Sequence, residues 1–436
     1  MGKSQELYNK AKELIPGGTQ LLSKRPELFL PNNWPAYYDK SKGCEVTDID
    51  GNTYTDMITM GIGTCILGYA DSDVNAAVKD AVDRGSMTSL NAPEEVELAE
   101  ELTNMHPWAD MVRYTRTGGE AMSVSVRIAR ASSQKDVVLF CGYHGWHDWY
   151  ISANLSEDQA LDGHLLPGLE PRGIPRALKG SSLPFEYNDT ETFIKLVEEH
   201  KASVGVVVLE TIRSDPPTKE FLTAIRSYTQ KYNIVLIVDE ITSGFRLNYG
   251  GAHLLFGIEP DLAVLGKALS NGYPMGVIIG KKEVMQAAQD SFISSTYWTD
   301  RIGPVSALAA LKKMRKKKVQ KHLVRIGERV QKGWKEIADA KGLKIHISGI
   351  YPLGHFSFEY PNALATKTLY TQLMLKKGIL ASTIFYASYA HKDIHVDKYL
   401  AATEEVFTEI AERIKNGTIE KALNGPICHG GFKRLN

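Results

Sequence analysis

Residues 234–280 read IVLIVDEITSGFRLNYGGAHLLFGIEPDLAVLGKALSNGYPMGVIIG and contain three short apolar runs, and two similar runs lie upstream. The five runs are VVLF (137–140), VGVVVLE (204–210), IVLIVDE (234–240), LAVLG (262–266) and MGVIIG (275–280). Each run is continuously apolar rather than alternating in polarity. This pattern is typical of strands that are buried on both faces of a sheet.

Helical segments separate several of these runs. Examples are Glu191–His200, which precedes the run at 204–210, and Glu220–Tyr232, which precedes the run at 234–240. Repeated strand–helix–strand units favour a parallel sheet, because a crossover helix returns the chain to the same edge. We therefore predict an α/β fold with a mostly parallel central sheet covered by helices.

The two ends of the chain have a different pattern, and a length of 436 residues favours more than one domain. We predict a large domain over residues 61–310. The segment 311–436 contains a long charged helical stretch, the strand-like HFSFEY (355–360) and the helical Ala401–Lys415. Together with residues 1–60 it is expected to form a smaller α+β domain.

Composition excludes several classes of partner. The chain has 51 basic and 51 acidic side chains, so it lacks the excess positive charge that is typical of proteins that bind nucleic acid. No apolar run reaches the roughly 18 residues of a membrane span. The four cysteines are widely scattered, without metal-ligand spacing or a disulfide framework, and the polar start lacks a signal peptide's apolar stretch. We expect a cytoplasmic protein that contacts neither a membrane nor nucleic acid and holds no metal.

Charged residues stand where three of the predicted strands end. Asp239 and Glu240 end one run, Glu210 ends another, and Lys267 follows a third. Ligands of open α/β sheets bind beyond the carboxyl ends of strands. Each charge alone is more simply a solvated strand cap, but together they indicate a ligand that needs an acid and an amine.

Pyridoxal phosphate (PLP) is such a ligand. Its ring nitrogen needs a carboxylate partner, and its aldehyde needs a lysine for a Schiff base. Its phosphate needs backbone N–H groups at a helix start, which Gly118 and Gly119 are expected to supply before an amphipathic segment. Its ring needs a flat neighbour, and Tyr143 follows a strand and a glycine.

These motifs also have simpler interpretations. A Thr-Gly-Gly sequence can be an ordinary turn, and Tyr143 can fill a core. His144 and His147 stand three residues apart, as metal ligands can, but no third ligand lies near them in the sequence. The sequence therefore favours PLP without excluding these alternatives.

The central block resembles the class III (ω-type) aminotransferases, and most closely the branch that contains glutamate-1-semialdehyde 2,1-aminomutase. The resemblance is densest over residues 239–285 and extends to IPGG (15–18), the RTGGEA loop (116–121) and GYHGWHD (142–148). Further similar segments, LKKGILAS (375–382) and SYAHKDI (388–394), follow in the same order. The resemblance implies the PLP fold-type I architecture and a homodimer with active sites shared between subunits.

The resemblance also implies a role for individual residues. It assigns the Schiff-base lysine to Lys267 and the partner of the ring nitrogen to Asp239. It assigns the other cofactor contacts as follows: Tyr143 stacks on the ring, Ile241 packs behind it, Glu210 lies near its hydroxyl, Gly118 and Gly119 bind the phosphate, and Thr296 of the neighbouring subunit also binds the phosphate. For the last role, the preceding small residues and the following aromatic favour Thr296, whereas the distance to Pro304 favours Thr299; we choose Thr296.

The expected substrate contacts are less regular. The family's carboxylate-binding arginine lies shortly after the PGG motif, whereas here Arg25 stands further along. Arg213 lies in a segment that is usually uncharged in the family. It is either a substrate ligand or a surface residue. The Gly/Pro-rich residues 164–178 either cover the site or form a surface loop. These departures leave the substrate open.

Four functions remain from the sequence. The first is a PLP-dependent aminotransferase that moves an amino group between a small-molecule donor, for example glutamate, and a carbonyl acceptor. The second is an intramolecular aminomutase. A nucleotide-binding α/β protein is disfavoured, since no G-x-G-x-x-G follows an early strand. An inactive binding protein is disfavoured because lysine, aspartate and tyrosine are all present.

Overall fold

The structure is a computed structural model that describes residues 2–157, 159–164, 167–212 and 214–431. Its contacts divide the chain into two compact units. The larger unit spans residues 72–320, and the smaller unit combines residues 1–71 with residues 321–436. The divisions lie about ten residues beyond the positions 60 and 310 proposed from the sequence.

The secondary structure alternates between helices and strands through the larger unit. The helices are α1 (Lys3–Leu14), α2 (Ser72–Asp83), α3 (Glu94–Met105), α4 (Gly118–Ser133), α5 (Asp148–Ile151), α6 (Thr190–His200), α7 (Lys219–Lys231), α8 (His253–Phe256), α9 (Lys282–Met285), α10 (Ile302–Lys317), α11 (Val319–Lys341), α12 (Ala363–Lys376) and α13 (Asp393–Lys415). The strands are β1 (Tyr38–Lys42), β2 (Glu45–Asp48), β3 (Thr53–Asp56), β4 (Met111–Thr115), β5 (Val137–Cys141), β6 (Ser182–Pro184), β7 (Val204–Glu210), β8 (Val235–Asp239), β9 (Leu262–Leu265), β10 (Gly276–Gly280), β11 (Ile345–Ser348), β12 (Leu353–Phe358), β13 (Ile379–Leu380) and β14 (Ile384–Tyr386).

The larger unit is built on one sheet. Among the described residues, seven strands form it in the order β4-β10-β9-β8-β7-β5-β6. Strands β6, β5, β7, β8 and β9 pair in parallel, whereas β10 runs antiparallel to both β4 and β9. Every residue of β7, β8 and β9 is buried, as their continuously apolar sequences predicted. The α/β class and the mostly parallel sheet are thus confirmed.

The register of the sheet brings the strand ends together. Glu210 of β7 pairs with Asp239 of β8, and Asp239 pairs with Val264 of β9. Because these strands are parallel, their carboxyl ends lie along one edge of the sheet. The residues that follow each strand therefore meet at this edge.

The described residues of the smaller unit form two short sheets. Strands β1-β2-β3-β13 form one sheet and β11-β12-β14 form the other, with α12 and α13 packed together beside them. The charged stretch after residue 310 is two helices, because Lys318 adopts a left-handed conformation (φ 50°) between α10 and α11. None of the helices in the described part of the chain is long and apolar enough to cross a membrane.

Candidate active site

Lys267 lies two residues after the end of β9. It begins the 3₁₀ turn Lys267–Ser270 and has a positive φ of 39°, which is uncommon for a residue with a side chain. Its Nζ donates a hydrogen bond of 2.8 Å to Thr242 Oγ1. Desolvation and the nearby Arg246 lower the pKa of Lys267 to about 8, although Glu210 and Asp239 act in the opposite direction. A lysine with such a pKa is uncharged often enough to act as a nucleophile.

Asp239 is buried, and each of its two carboxylate oxygens has a hydrogen-bonding partner. Its Oδ1 accepts a hydrogen bond of 2.9 Å from the Ile241 N–H, and its Oδ2 lies 2.8 Å from His144 Nδ1. His144 Nε2 lies 3.1 Å from the carbonyl oxygen of Cys141, which can only accept. Both ring nitrogens of His144 therefore face acceptors. These contacts fix the orientation of the Asp239 carboxylate.

Glu210 organises the loop that carries Tyr143. Its Oε2 accepts a hydrogen bond of 3.1 Å from the Tyr143 N–H. Gly142 has a φ of 114°, and a Cβ at this position would lie 2.6 Å from Glu210 Oε2. Only glycine fits both the conformation and the space. Tyr143 is left 38% exposed, so its ring is available for stacking.

The pKa values of Tyr143 and Lys267 respond to the same two carboxylates. Burial raises the pKa of Tyr143, and the carboxylates of Asp239 and Glu210 raise it further. The same two carboxylates influence Lys267. An amine, two acids and a tyrosine thus lie within electrostatic reach of one another at the carboxyl edge of the sheet.

Gly118 and Gly119 form the first turn of α4. Thr117 caps this helix through a reciprocal pair, because its side chain accepts from Glu120 N and Glu120 Oε2 accepts from Thr117 N. The first-turn amides of a helix have no helical acceptors, so they suit an anion. A Cβ on Gly118 would lie 3.1 Å from Ile241 Cδ1, which places this glycine directly against Ile241, two residues after the end of β8.

The arrangement fits PLP. The chain offers a lysine of lowered pKa for the aldehyde and a fixed carboxylate for the ring nitrogen. It also offers an accessible tyrosine for the ring and a glycine cradle at a helix start for the phosphate. All of these groups belong to the larger unit.

The threonines predicted to bind phosphate lie on the surface of the larger unit. Thr296 and Thr299 begin and end a 3₁₀ turn, and both are exposed. Arg116 holds this turn through hydrogen bonds of 2.9 Å to Trp298 O and 2.8 Å to Asp300 O. The choice between the two threonines stays a prediction.

The two predicted substrate arginines lie outside the described part of the larger unit. Arg25 belongs to the smaller unit, where its guanidinium packs against Gly17 in the PGG turn. Arg213 lies outside the described residues, and so do Leu165 and Leu166 of the loop 164–178. The roles of Arg25 and Arg213 therefore stay predictions.

Sequence reasoning missed three contributors to the site. Thr242 accepts the Lys267 hydrogen bond, and Arg246 is buried and lowers the pKa of Lys267. His144, first considered as a metal ligand, holds Asp239. Thr242 and Arg246 stand in the segment densest in family resemblance (239–285), and His144 stands in GYHGWHD (142–148), to which the resemblance extends; this resemblance was the available signal.

Within the described ranges, no group of three or more His, Cys, Asp or Glu side chains is arranged to hold a metal ion. His144 contacts Asp239, whereas His147 lies against Gly119. The two histidines therefore face different partners.

Comparison with known proteins agrees with this geometry. A family model described as aminotransferase class-III matches residues 31–416. The chain is 29% identical over 426 residues to a 3-aminobutyryl-CoA aminotransferase of Cloacimonas acidaminovorans (strain Evry), covering 95% of this chain and 98% of that protein. It is 31% identical over 437 residues to the glutamate-1-semialdehyde 2,1-aminomutase of Aquifex aeolicus (strain VF5), covering 96% and 100%.

Solved structures share the fold. The PLP internal aldimine form of FumI from Sphingopyxis sp. MTA144 superimposes with a TM-score of 0.85 at 23% identity, over 95% of this chain and 97% of that one. A transaminase with PLP bound gives a TM-score of 0.83 at 25% identity, over 94% and 98%.

Proposed function

This chain belongs to the class III aminotransferase family, and we propose that it moves an amino group from a small-molecule donor to a carbonyl acceptor, with PLP held at Lys267 as a Schiff base. Family membership, the fold-type I architecture and the PLP cofactor agree with the resemblance seen in the sequence. The observation that carries the proposal is the partly buried Lys267 amine, which has a pKa of about 8 and lies near two carboxylates.

The bound cofactor supplies an electron sink for the bond that breaks at the donor carbon. Asp239, fixed by His144, is proposed to keep a proton on the ring nitrogen through a charge-assisted hydrogen bond. Lys267 would accept the proton that leaves the donor carbon and hold it for return during the transfer, since its lowered pKa suits both directions. Thr242 Oγ1, 2.8 Å from the amine, orients Lys267 for this transfer.

The remaining residues are proposed to position the cofactor. Tyr143 covers one face of the ring, and Ile241 packs behind the other. Glu210 lies on the hydroxyl side and holds the Tyr143 backbone at 3.1 Å. Gly118 and Gly119 bind the phosphate through first-turn amides.

The donor and the acceptor remain to be identified, and the chemistry has one close alternative. A relative 31% identical over its full length is a glutamate-1-semialdehyde 2,1-aminomutase, which makes a 2,1-aminomutase the second candidate. A relative of similar identity is a 3-aminobutyryl-CoA aminotransferase, which adds β-amino thioesters to the donors worth testing. Glutamate is the first donor we propose.

A half-reaction screen tests the proposal. Purified enzyme loaded with PLP is mixed with single donors and no acceptor, and the carbonyl product is measured against enzyme concentration. Stoichiometric product, followed by recovery on adding a 2-oxo acid, supports transamination. Isomerisation of one substrate without exchange supports the mutase. Lys267→Ala should give no product, whereas Lys282→Ala, at an exposed lysine, should behave like the wild type.

We also propose that the enzyme is a homodimer with shared active sites. Two loops of the larger unit lie together, because Arg301 N donates to Ser86 O at 2.9 Å and Thr299 Oγ1 lies 3.5 Å from Met87 Sδ. These loops expose the large apolar side chains of Leu90 (83%), Phe292 (91%) and Tyr297 (73%), and aromatic side chains are enriched at protein interfaces. Thr296 precedes Tyr297 in the chain and is proposed to reach the partner's phosphate. Light scattering should give twice the chain mass.

Two further proposals come from the sequence. Arg25 and Arg213 are proposed to bind a substrate carboxylate, and replacing either with Gln should raise KM more than it lowers kcat. A reducing, cytoplasmic location is proposed from the four cysteines, none of which forms a disulfide within the described residues. Retention of activity in excess reductant supports that location, and loss of activity would contradict it.

A further inference from the structure

The loop after β5 folds back onto the start of α4. Gly145 has a φ of 104°, and a Cβ at this position would lie 3.3 Å from Gly119 Cα. A Cβ on Gly119 would in turn lie 3.2 Å from His147 Nε2 and 3.3 Å from Trp146 Nε1. Two ring nitrogens therefore lie beside the first turn of α4, and the missing side chain of Gly119 leaves the room for them.

His147 Nε2 is buried and has no hydrogen-bond partner among the described residues. A buried polar atom without a partner is uncommon, since it loses its hydrogen bond to water and gains nothing in return. Trp146 packs on His147 with ring centroids 4.3 Å apart, and its ring is 70% exposed although its nitrogen lies against Gly119. An indole nitrogen can only donate. The site thus presents donors without an acceptor.

The acceptor that fits these donors is an anion. Helix starts attract negative charge, and the first-turn amides of α4 point out of the same end. The carboxylate of Glu120 does not fill the site, because its Oε2 accepts from Arg116 N at 3.1 Å and Thr117 N at 2.9 Å. Desolvation lowers the pKa of His147, so its ring is neutral near pH 7 and can carry its hydrogen on Nε2.

We propose that His147, assisted by Trp146, is a phosphate ligand of the cofactor, donating from its side chain to the same phosphate that Gly118 and Gly119 bind through their backbone. This inference rests on the proposed function, because it requires PLP at Lys267. It adds a side-chain contact from within the same chain to a phosphate site for which the other proposed ligands are the backbone amides of Gly118 and Gly119 and Thr296 of the neighbouring subunit.

The experiment compares two cofactor forms that differ only in the phosphate. Apoenzyme is titrated with PLP and with pyridoxal, and the visible absorption of the lysine adduct gives a Kd for each. His147→Phe should weaken PLP roughly tenfold or more, as expected for loss of a hydrogen bond to a charged group, and should change pyridoxal by less than about twofold. Trp146→Phe, at an exposed ring, should weaken PLP alone by a smaller factor.

Two further variants separate binding from packing. His147→Gln retains an N–H at a similar reach, so its Kd for PLP should stay within about threefold of the wild type. His200→Phe, a matched substitution in the last turn of α6, should change neither Kd. The phosphorus resonance of bound PLP should also shift in His147→Phe. If His147 had only a structural role, this resonance would stay at its wild-type position.

Several results would overturn the inference. If His147→Phe weakens PLP and pyridoxal by the same factor, the imidazole only supports the loop. If neither His147→Phe nor Trp146→Phe changes the PLP Kd, the two rings do not contact the phosphate. Failure of the proposed function looks different, because the wild type would then form no lysine adduct with either compound.

Discussion

The amine of Lys267 is expected to titrate far below an ordinary lysine in the apoenzyme. With a pKa of about 8 against an ordinary 10.5, about a tenth of the amines is uncharged at pH 7, roughly 300 times the fraction of an ordinary lysine. Burial is the main cause, and the cation of Arg246 adds to it. Glu210 acts in the opposite direction because its negative charge stabilises the ammonium form.

The perturbation that tests this reasoning is Glu210→Gln. The amide keeps an acceptor for the Tyr143 N–H but removes the negative charge, so the pKa of Lys267 should fall below about 8. Arg246→Met should move it upward, since Arg246 lowers the pKa in the wild type. The sign of each shift follows from the charge that is removed.

The assay is pulsed modification of the apoenzyme with an amine-acylating reagent from pH 6 to pH 11, followed by peptide mass spectrometry. The Lys267 peptide should label with a midpoint near 8 in the wild type and lower in Glu210→Gln. The exposed Lys282 provides the internal reference, because its labelling should not respond to either variant. A wild-type midpoint near 10.5, or an upward shift in Glu210→Gln, would refute the electrostatic account of the site.

Three other substitutions test the support around the site. Gly142→Ala should lower the free energy of unfolding by about 1–3 kcal/mol, because the left-handed backbone and the carboxylate of Glu210 both oppose a Cβ; thermal unfolding measures this. His144→Leu should lower it by about 3–5 kcal/mol and reduce turnover, because Asp239 would be left buried beside an apolar group; urea unfolding and steady-state rates measure both. Thr117→Ala should lower it by about 1 kcal/mol through loss of the α4 cap, measured in urea.

Matched variants isolate each cause. Gly173→Ala has a comparable φ of 84° with nothing within 4 Å of the added Cβ, so it should destabilise less than Gly142→Ala. His346→Leu removes an exposed imidazole and should leave turnover unchanged. Thr117→Ser keeps the capping hydroxyl and should retain wild-type stability. Equal losses in a variant and its control would show that the stated contact is not the cause.

The sequence predicted the centre of the sheet well because burial on both faces leaves a clear signature. The run at 204–210 matches β7 residue for residue, and the run at 234–240 contains β8. Strand direction was harder to predict from the sequence, since a continuous apolar run does not show whether its strand is parallel or antiparallel to its neighbours. The antiparallel orientation of β10 therefore emerged only from the structure.

Individual contacts of the site were harder to predict than its components. Thr242 contacts Lys267, 25 positions further along the chain, only because of the turns that follow β8 and β9. The burial of Arg246 likewise depends on packing that no local pattern records. Helix ends were also uncertain: α13 begins at Asp393, eight residues before the predicted start at Ala401, and a left-handed Lys318 splits the charged stretch.

Lys267 is the residue that we propose bonds to the cofactor. Borohydride reduction of the PLP-loaded enzyme, followed by digestion and peptide mass spectrometry, tests this proposal directly. We expect one stoichiometric pyridoxyl adduct on Lys267 and loss of that adduct in Lys267→Ala. A PLP-loaded, active enzyme whose reduced adduct maps to any other lysine would contradict the account.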